Sequence, residues 1–292
     1  MYFVTYEYTG DVNIGILAND LNCVVPLQAC ERYFFNTRLL PDNMLEFIRQ
    51  GDMAFARAAE IWQKIQSMRH CPYLLPLPKV RLKAPIPRPA KNIFCLGKNY
   101  REHAREFDPK GDIPQYPIFF TKAANCVIGP EDAIDSHPTV TKELDYEAEL
   151  AVVIGKKGKF IPKEQAMDYV FGYMIMNDVT ARDLQSKDGQ WTRAKSFDTF
   201  CPLGPSIVTD IDGSNLRLKA ILNGQVKQDS TTADLIFNIP QLVSFISHVL
   251  TLHPGDVILT GTPSGVGPMQ VGDEIRIEIE GLGHLINRVV AP

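Results

Sequence analysis

From residue 92 onward the chain is written in short β-forming runs: NIFCLG, IFFTK, ELAVVIG, YMIMND, SIVTD, DVILTG and EIRIEIE. Glycine, proline or asparagine stands between them, closing each strand before it can lengthen. RLKAILNGQVKQD adds a hairpin that turns at Asn223–Gly224, a pair suited to the positive φ angles of a two-residue turn. Three helices interrupt the pattern: one after Asn99, one opened by Pro162 and one opened by Pro240, where IPQLVSFISHVL has helical spacing. Many strands with few helices do not make alternating βαβ units. The spacing predicts a mainly β fold with some α, built on a large curved or rolled sheet.

Ahead of this pattern, residues 1–84 read as a small α+β domain, which leaves 85–292 as the domain carrying the chemistry. YFVTYEY and the segment around Ile14–Leu17 read as strands broken by Gly10–Asp11 and Asn19–Asp20. Two helical stretches follow. Asp52 is the expected N-cap of AFARAAEIWQKIQSM, whose Phe55, Ala58, Ala59, Trp62 and Ile65 share one stripe. CPYLLPLPKVRLKAPIPRPAKN then brings six prolines, from Pro72 to Pro89. Proline at that density blocks helix and central strand, so an extended linker is expected to close the first domain.

Composition excludes several function classes. A chain of 292 residues with 45% apolar and 22% charged residues can bury a sizeable core. Its formal net charge is −4 with no basic block, so nucleic-acid and polybasic membrane binding lack electrostatic support. MYFVTYEYTG has neither the charged nor the apolar region of a signal peptide, and no apolar run approaches the roughly 18 residues of a membrane helix. Six scattered cysteines form no C-x-x-C pair, which argues against a disulfide framework and a thiolate zinc site. A cytoplasmic protein is expected.

Chemistry concentrates in ELDYEAELAVVIG, residues 143–155. Read as one strand, its alternate positions Glu143, Asp145, Glu147 and Glu149 share a face, about 6.5 Å apart in succession. They make either a solvated face or a cation site. The run leads into AVVIG, apolar on both faces, so the strand dives inward, where a carboxylate is costly without a strong positive partner. Oxygen-only ligands suit a hard divalent cation such as Mg²⁺ or Mn²⁺. YMIMNDVTARD supplies another acid, Asp178, either the N-cap of a short helix or a third carboxylate of the site. Arg182 and Asp183 read equally well as a solvated pair.

In GKNYREHAREFD, His103 and Glu106 are three apart and share a helical face. They belong either to a charged surface helix or to a carboxylate-oriented imidazole able to act as a general base. Gly97 and Asp108–Pro109 leave that helix short and loop-flanked, a form compatible with a lid. Lys195 in QWTRAKSFDTF would by itself be expected in solvent. LTGTPSGVG, residues 259–267, is glycine-rich but lacks the G-K-[ST] of a P-loop; its N–H groups and Thr262 could cradle a carboxylate. No G-x-S-x-G, H-E-x-x-H or dinucleotide fingerprint is present.

In this order, CLGKNYREHARE, PIFFTK, DYEAELAVVIG, FGYMIMNDVTARDLQ, QWTRAKSFDTFCPLGP, LNGQVKQ and GDVILTGTPSGVG resemble the fumarylacetoacetate hydrolase family, from about residue 84 to the end. The resemblance implies that family's rolled C-terminal-like β fold and a homodimer or larger assembly. It implies metal ligands at Glu147, Glu149 and Asp178, and a water-activating dyad at His103 and Glu106 on a mobile helix. A catalytic lysine at Lys195 is implied too, with Lys122, Arg182 and Thr262 binding the substrate. Ala123–Ala124 departs from the proline or serine that relatives often carry after Lys122, which bears on local pocket shape. The amino-terminal unit looks like that of larger relatives with acylpyruvase or oxaloacetate decarboxylase activity.

The expected function is therefore metal-dependent cleavage of the C3–C4 bond of a short 2-oxo acid through a metal-stabilised enolate. Either acylpyruvate-type hydrolysis or oxaloacetate decarboxylation fits, with Mg²⁺ or Mn²⁺ as cofactor. A hydratase or keto–enol tautomerase of related oxo acids is the alternative. The rival of another class is a non-enzymatic metal-binding family member, against which the presence of the dyad and all three acids counts.

Overall fold

The structure, a computed structural model, describes residues 1–291 apart from 19, 21, 69 and 108–112. Asn19, half of one expected strand break, and Asp108–Pro109, the expected flank of the helix after Asn99, lie outside the described residues. Strands β1 (Tyr2–Tyr8), β2 (Asp11–Ala18) and β3 (Cys23–Pro26) lead into helices α1 (Leu27–Phe35), α2 (Met44–Gln50) and α3 (Asp52–Ser67). Three helices thus stand where two stretches were expected. Asp52 is the first residue of α3, and Gly51 holds the N-cap position with φ 61°. The proline-dense stretch adds two short strands, β4 (Leu75–Pro76) and β5 (Arg81–Lys83), with one 3₁₀ turn, Leu77–Lys79, between them where an extended linker was expected.

The remainder runs β6 (Ile93–Gly97), α4 (Arg101–Phe107), β7 (Ile118–Lys122), β8 (Val127–Ile128), β9 (Ala133–Asp135), β10 (Leu144–Tyr146) and β11 (Ala148–Ile154). Then come β12 (Val170–Asn177), β13 (Thr180–Ala181), α5 (Arg182–Asp188), α6 (Thr192–Lys195), β14 (Cys201–Val208), β15 (Arg217–Leu222) and β16 (Gln225–Thr231). Last are α7 (Ile239–Val249), β17 (Val257–Leu259), β18 (Gly267–Met269), β19 (Glu274–Ile279) and β20 (Gly283–Val290). Pro162 opens a 3₁₀ segment, Lys163–Tyr169, instead of the expected α-helix, and β12 begins at the very next residue. α7 starts as its sequence requires, with Asn238 and Gln241 forming a reciprocal capping box.

Among the described residues the strands form three sheets. The largest runs β4-β3-β2-β1-β14-β12-β11-β17-β6-β7, with β5 on β1 and β8 on β14. A small one is β13-β10-β18, and the third is β16-β15-β19-β20-β9. β1 pairs directly with β14, so the ladder crosses the boundary expected near residue 84. The β15–β16 turn has φ 50° at Asn223 and 78° at Gly224, the backbone that Asn-Gly permits.

Every residue of β11 is buried, and its two faces meet different layers. Ala151 and Val153 join Met174, Met176 and Leu203 under Leu27, Phe47 and Ile61 of the amino-terminal helices. Leu150, Val152 and Ile154 join Leu218, Ile275 and Ile277 of the third sheet and Leu242 and Ile246 of α7. The strand is apolar on both faces because it is the middle of a sandwich. No helix among the described residues is long and apolar enough to cross a membrane.

Candidate active site

The run 143–155 is not one strand. β10 lies in the small sheet and β11 in the large one, and the chain changes sheets at Glu147. The crossing is pinned on both sides: Glu147 N–H donates to Asn177 Oδ1 at 2.9 Å, and Glu147 C=O accepts from Asp178 N–H at 2.8 Å. The four acids separate accordingly. Glu143 is exposed, Asp145 pairs with Arg182, and Glu147 and Glu149 turn inward beside Asp178.

One oxygen from each of Glu147, Glu149 and Asp178 lies within 4.8 Å of the others, and the three residues are 4%, 1% and 0% exposed. Asp178 caps no helix, since α5 begins after Ala181. Its Oδ1 accepts from Lys122 Nζ at 2.6 Å and its Oδ2 from Lys195 Nζ at 2.7 Å. Glu147 accepts from Lys195 Nζ at 2.8 Å, Arg182 Nη2 at 2.6 Å and the Thr180 hydroxyl at 3.1 Å. Burial pushes its carboxyl up, but Lys195, Arg182 and His103 together hold it below the ordinary carboxylate range. Glu149 goes the other way: burial, then the charges of Asp178 and Glu147, drive it well above that range. Its hydrogen bond is to Gly261 N–H at 2.7 Å, and among the described residues no lysine or arginine lies within ion-pair distance of it. A buried carboxylate without a cationic partner is costly. A hard divalent ion held by these three acids would supply that partner, and the all-oxygen donor set suits one.

Around the triad is a cavity of about 50 Å³ lined by His103, Arg182, Gln185, Trp191, Lys195 and Thr262, among others. His103, on α4, is 7% exposed and bonds Glu106 Oε2 through Nδ1 at 3.0 Å. Glu106 Oε1 accepts from Gly265 N–H at 3.1 Å, which docks α4 on the glycine-rich loop. Burial raises the Glu106 carboxyl, but the bonds to His103 and Gly265 bring it out below its ordinary value. The surface-helix reading of REHARE fits Arg105 and Glu102, which pair outside.

Lys195, expected in solvent on its own merits, is 2% exposed because α6 carries it inward. Lys122 is 0% exposed and sits behind Asp178, also donating to Val179 C=O at 3.1 Å; it is not part of the cavity wall. Burial lowers its ammonium pKa, yet Asp178 leads the groups that hold it above the usual lysine value. Arg182 reads as no solvated pair with Asp183. Its guanidinium binds Asp145 Oδ2 at 2.8 Å, Glu147 Oε1 at 2.6 Å and Gln185 Oε1 at 2.6 Å, while Asp183 accepts from the Thr141 hydroxyl. Ala123, at the departure from the family pattern, donates its N–H to Ser196 Oγ at 3.0 Å.

Sequence reasoning passed over Gln185, Trp191 and Gln228. Gln185 follows Arg182 by three on α5 and so shares its face, a signal present in TARDLQ. Trp191 packs on Phe120, and a Cβ at Gly97 would come 2.4 Å from its ring, so glycine there makes room for it. Gln228 closes LNGQVKQ, one of the stretches that carry the family resemblance, but as one polar residue in a polar strand it gave no sign of burial.

A family model described as fumarylacetoacetate (FAA) hydrolase C-terminal matches residues 92–290. The chain is 42% identical over 301 residues, covering 99% of itself and 100% of the relative, to oxaloacetate tautomerase YisK of Bacillus subtilis. Among solved structures it superposes on fumarylacetoacetate hydrolase from Exiguobacterium antarcticum with a TM-score of 0.80 at 35% identity, covering 100% of both chains. It superposes on maleylpyruvate hydrolase of a Sphingobium species, solved with manganese(II) and pyruvate, with a TM-score of 0.79 at 31% identity, covering 100% of this chain and 99% of that one.

Proposed function

The chain belongs to the fumarylacetoacetate hydrolase family, and from that premise we propose that it is a keto–enol tautomerase of oxaloacetate or a closely similar short 2-oxo diacid. The observation that carries the reading is the buried carboxylate triad flanked by two buried lysines and faced by the His103–Glu106 pair. Cleavage of C3–C4 and tautomerisation both need the C2 oxygen to bear negative charge, so these residues serve either, and it was the resemblance to acylpyruvases and oxaloacetate decarboxylases that put cleavage first. A full-length relative named for oxaloacetate tautomerisation favours the reverse order.

Glu147, Glu149 and Asp178 would hold Mg²⁺ or Mn²⁺, which when bound would polarise the carbonyl and carboxylate of a 2-oxo acid. The chain's own groups do the rest. Lys195, bridging Glu147 and Asp178, adds fixed positive charge beside the C2 oxygen. His103, oriented by Glu106 through Nδ1, takes the C3 proton of the keto form at Nε2 and delivers it to the C2 oxygen to give the enol, and carries it back from oxygen to C3 in the reverse direction. Lys122 acts from behind the acids by fixing Asp178, whereas Arg182, at the cavity wall with Gln185, fixes Glu147. Thr262 receives the substrate carboxylate.

Hydrolytic cleavage is the second reading, favoured by the same imidazole–carboxylate pair, which could activate water. Following enol-oxaloacetate by ultraviolet absorbance, with pyruvate release from oxaloacetate and from acetylpyruvate measured in parallel and with or without EDTA, separates tautomerisation from decarboxylation and from hydrolysis. Cation-dependent loss of enol without pyruvate is expected; stoichiometric pyruvate would establish cleavage instead. His103→Ala should lose turnover by about 10²–10⁴-fold yet bind the cation in calorimetry, whereas Glu147→Ala should lose both. Turnover retained by Glu147→Ala would defeat the proposal.

A further inference from the structure

Gln228 lies on β16, in a strand whose neighbours Lys227 and Asp229 face solvent, yet it is 0% exposed. Its side chain enters the gap between the strand that bears the acids and the glycine-rich loop. There Oε1 accepts from Ala148 N–H at 2.9 Å, the residue between Glu147 and Glu149. Nε2 donates to Thr262 Oγ1 at 2.8 Å and to Pro263 C=O at 2.8 Å. A primary amide has two N–H donors and one carbonyl, and here each is engaged.

The direction of the Thr262 bond is what matters. Nε2 can only donate, so Thr262 Oγ1 is its acceptor, and the hydroxyl proton must point elsewhere. Thr262 lines the cavity, 3% exposed. We propose that Gln228 is a positioning residue that fixes Thr262 as a proton donor toward the substrate carboxylate, so that a residue outside the cavity sets affinity for the oxo acid. The opposite orientation, with the threonine proton donated to a backbone carbonyl, would present only oxygen lone pairs to an anion. The neighbouring backbone supports a rigid placement. Gly265 packs so closely on Lys227 C=O that a Cβ there would lie 2.2 Å from that oxygen, which binds the hairpin and the loop into one unit.

This inference rests on the oxo-acid reading of the site, and oxalate binding to the Mn²⁺-loaded protein tests it without requiring turnover. Gln228→Met keeps the length of the side chain and removes its hydrogen bonds. Gln228→Met and Thr262→Val should each weaken oxalate binding about tenfold, the worth of one good hydrogen bond to a charged group. The double variant should be no weaker than either single one, because Gln228 acts through Thr262. Mn²⁺ affinity without oxalate should stay within about twofold of the parent, which a general collapse of the site would not allow. In kinetics the same variants should raise KM far more than they lower kcat. Should Gln228→Met fail to fold, Gln228→Glu keeps an acceptor for Ala148 N–H and serves in its place. Losses that multiply in the double variant, or unaltered oxalate affinity in a folded Gln228 variant, overturn the inference. Parent protein that binds oxalate but turns over no oxo acid counts against the proposed reaction and leaves the Gln228 result readable.

Discussion

Glu147 and Glu149 are two residues apart in sequence, and their carboxyl groups are pushed in opposite directions. Glu147 neutralises Lys195 and Arg182, both largely removed from solvent. Glu147→Gln therefore leaves buried cations short of a partner, a change that typically costs about 3 kcal/mol. Glu149→Gln keeps an acceptor for Gly261 N–H and removes a charge that, among the described residues, no lysine or arginine meets at ion-pair distance. Its cation-free melting temperature should match or exceed the parent's, while the stabilisation produced by Mg²⁺ disappears. Thermal melts with and without Mg²⁺ check both, and equal cation-free losses in the two variants would contradict this account. Residue type and spacing offered these acids, His103 and Thr262 as candidates beside blander uses, and the ordered set of family-like stretches chose between them. Burial was not legible for Lys195. Nothing in a lysine's neighbours states that a four-residue helix will carry it into the interior.

At the scale of elements, two glycines with positive φ give contrasting expectations. Gly224, at the β15–β16 turn, has φ 78° and nothing within 4 Å of an added Cβ. Gly224→Ala should cost only the left-handed backbone penalty, about 1–2 kcal/mol, and leave activity intact. Gly265 has φ 93°, and its added Cβ would meet the Lys227 carbonyl at 2.2 Å. Backbone cannot yield as a side-chain tip does, so Gly265→Ala must shift the loop that holds Glu106. It should lower stability by more than Gly224→Ala and also reduce turnover, as chemical denaturation and the enol assay would show; a silent Gly265→Ala would break the link between loop and α4. The turn itself was readable from Asn-Gly. The division of residues 143–155 into β10 and β11 was not, because alternation reports which face a side chain takes and not which sheet its strand has joined.

For the molecule as a whole, the family model and the expected catalytic domain begin at nearly the same place, yet the chain does not come apart there. β1 hydrogen-bonds β14, pairing Tyr2 with Val208 and Phe3 with Ile207, so removing residues 1–84 bares an edge of the large sheet. The same cut uncovers its face. Ala151, Val153, Met174, Met176, Leu203 and Leu259 are each buried in a cluster whose other half is Phe3, Leu27, Met44, Phe47, Ile48 and Ile61. Sequence pattern could place a boundary in the proline-rich stretch, since proline stops helices. It could not reveal that the helices before that stretch roof the strands after it, because contacts such as Phe47 and Phe55 on Phe171 join residues more than a hundred positions apart. An exposed apolar face and an open strand edge together favour aggregation. The fragment 85–292, expressed alone, should therefore be recovered aggregated or without a cooperative melt, even though it holds His103, Lys195 and all three acids. Sedimentation and thermal denaturation of that fragment decide the matter. A monodisperse, cooperatively melting and cation-binding fragment would mean that the amino-terminal layer is dispensable to the sheet it covers.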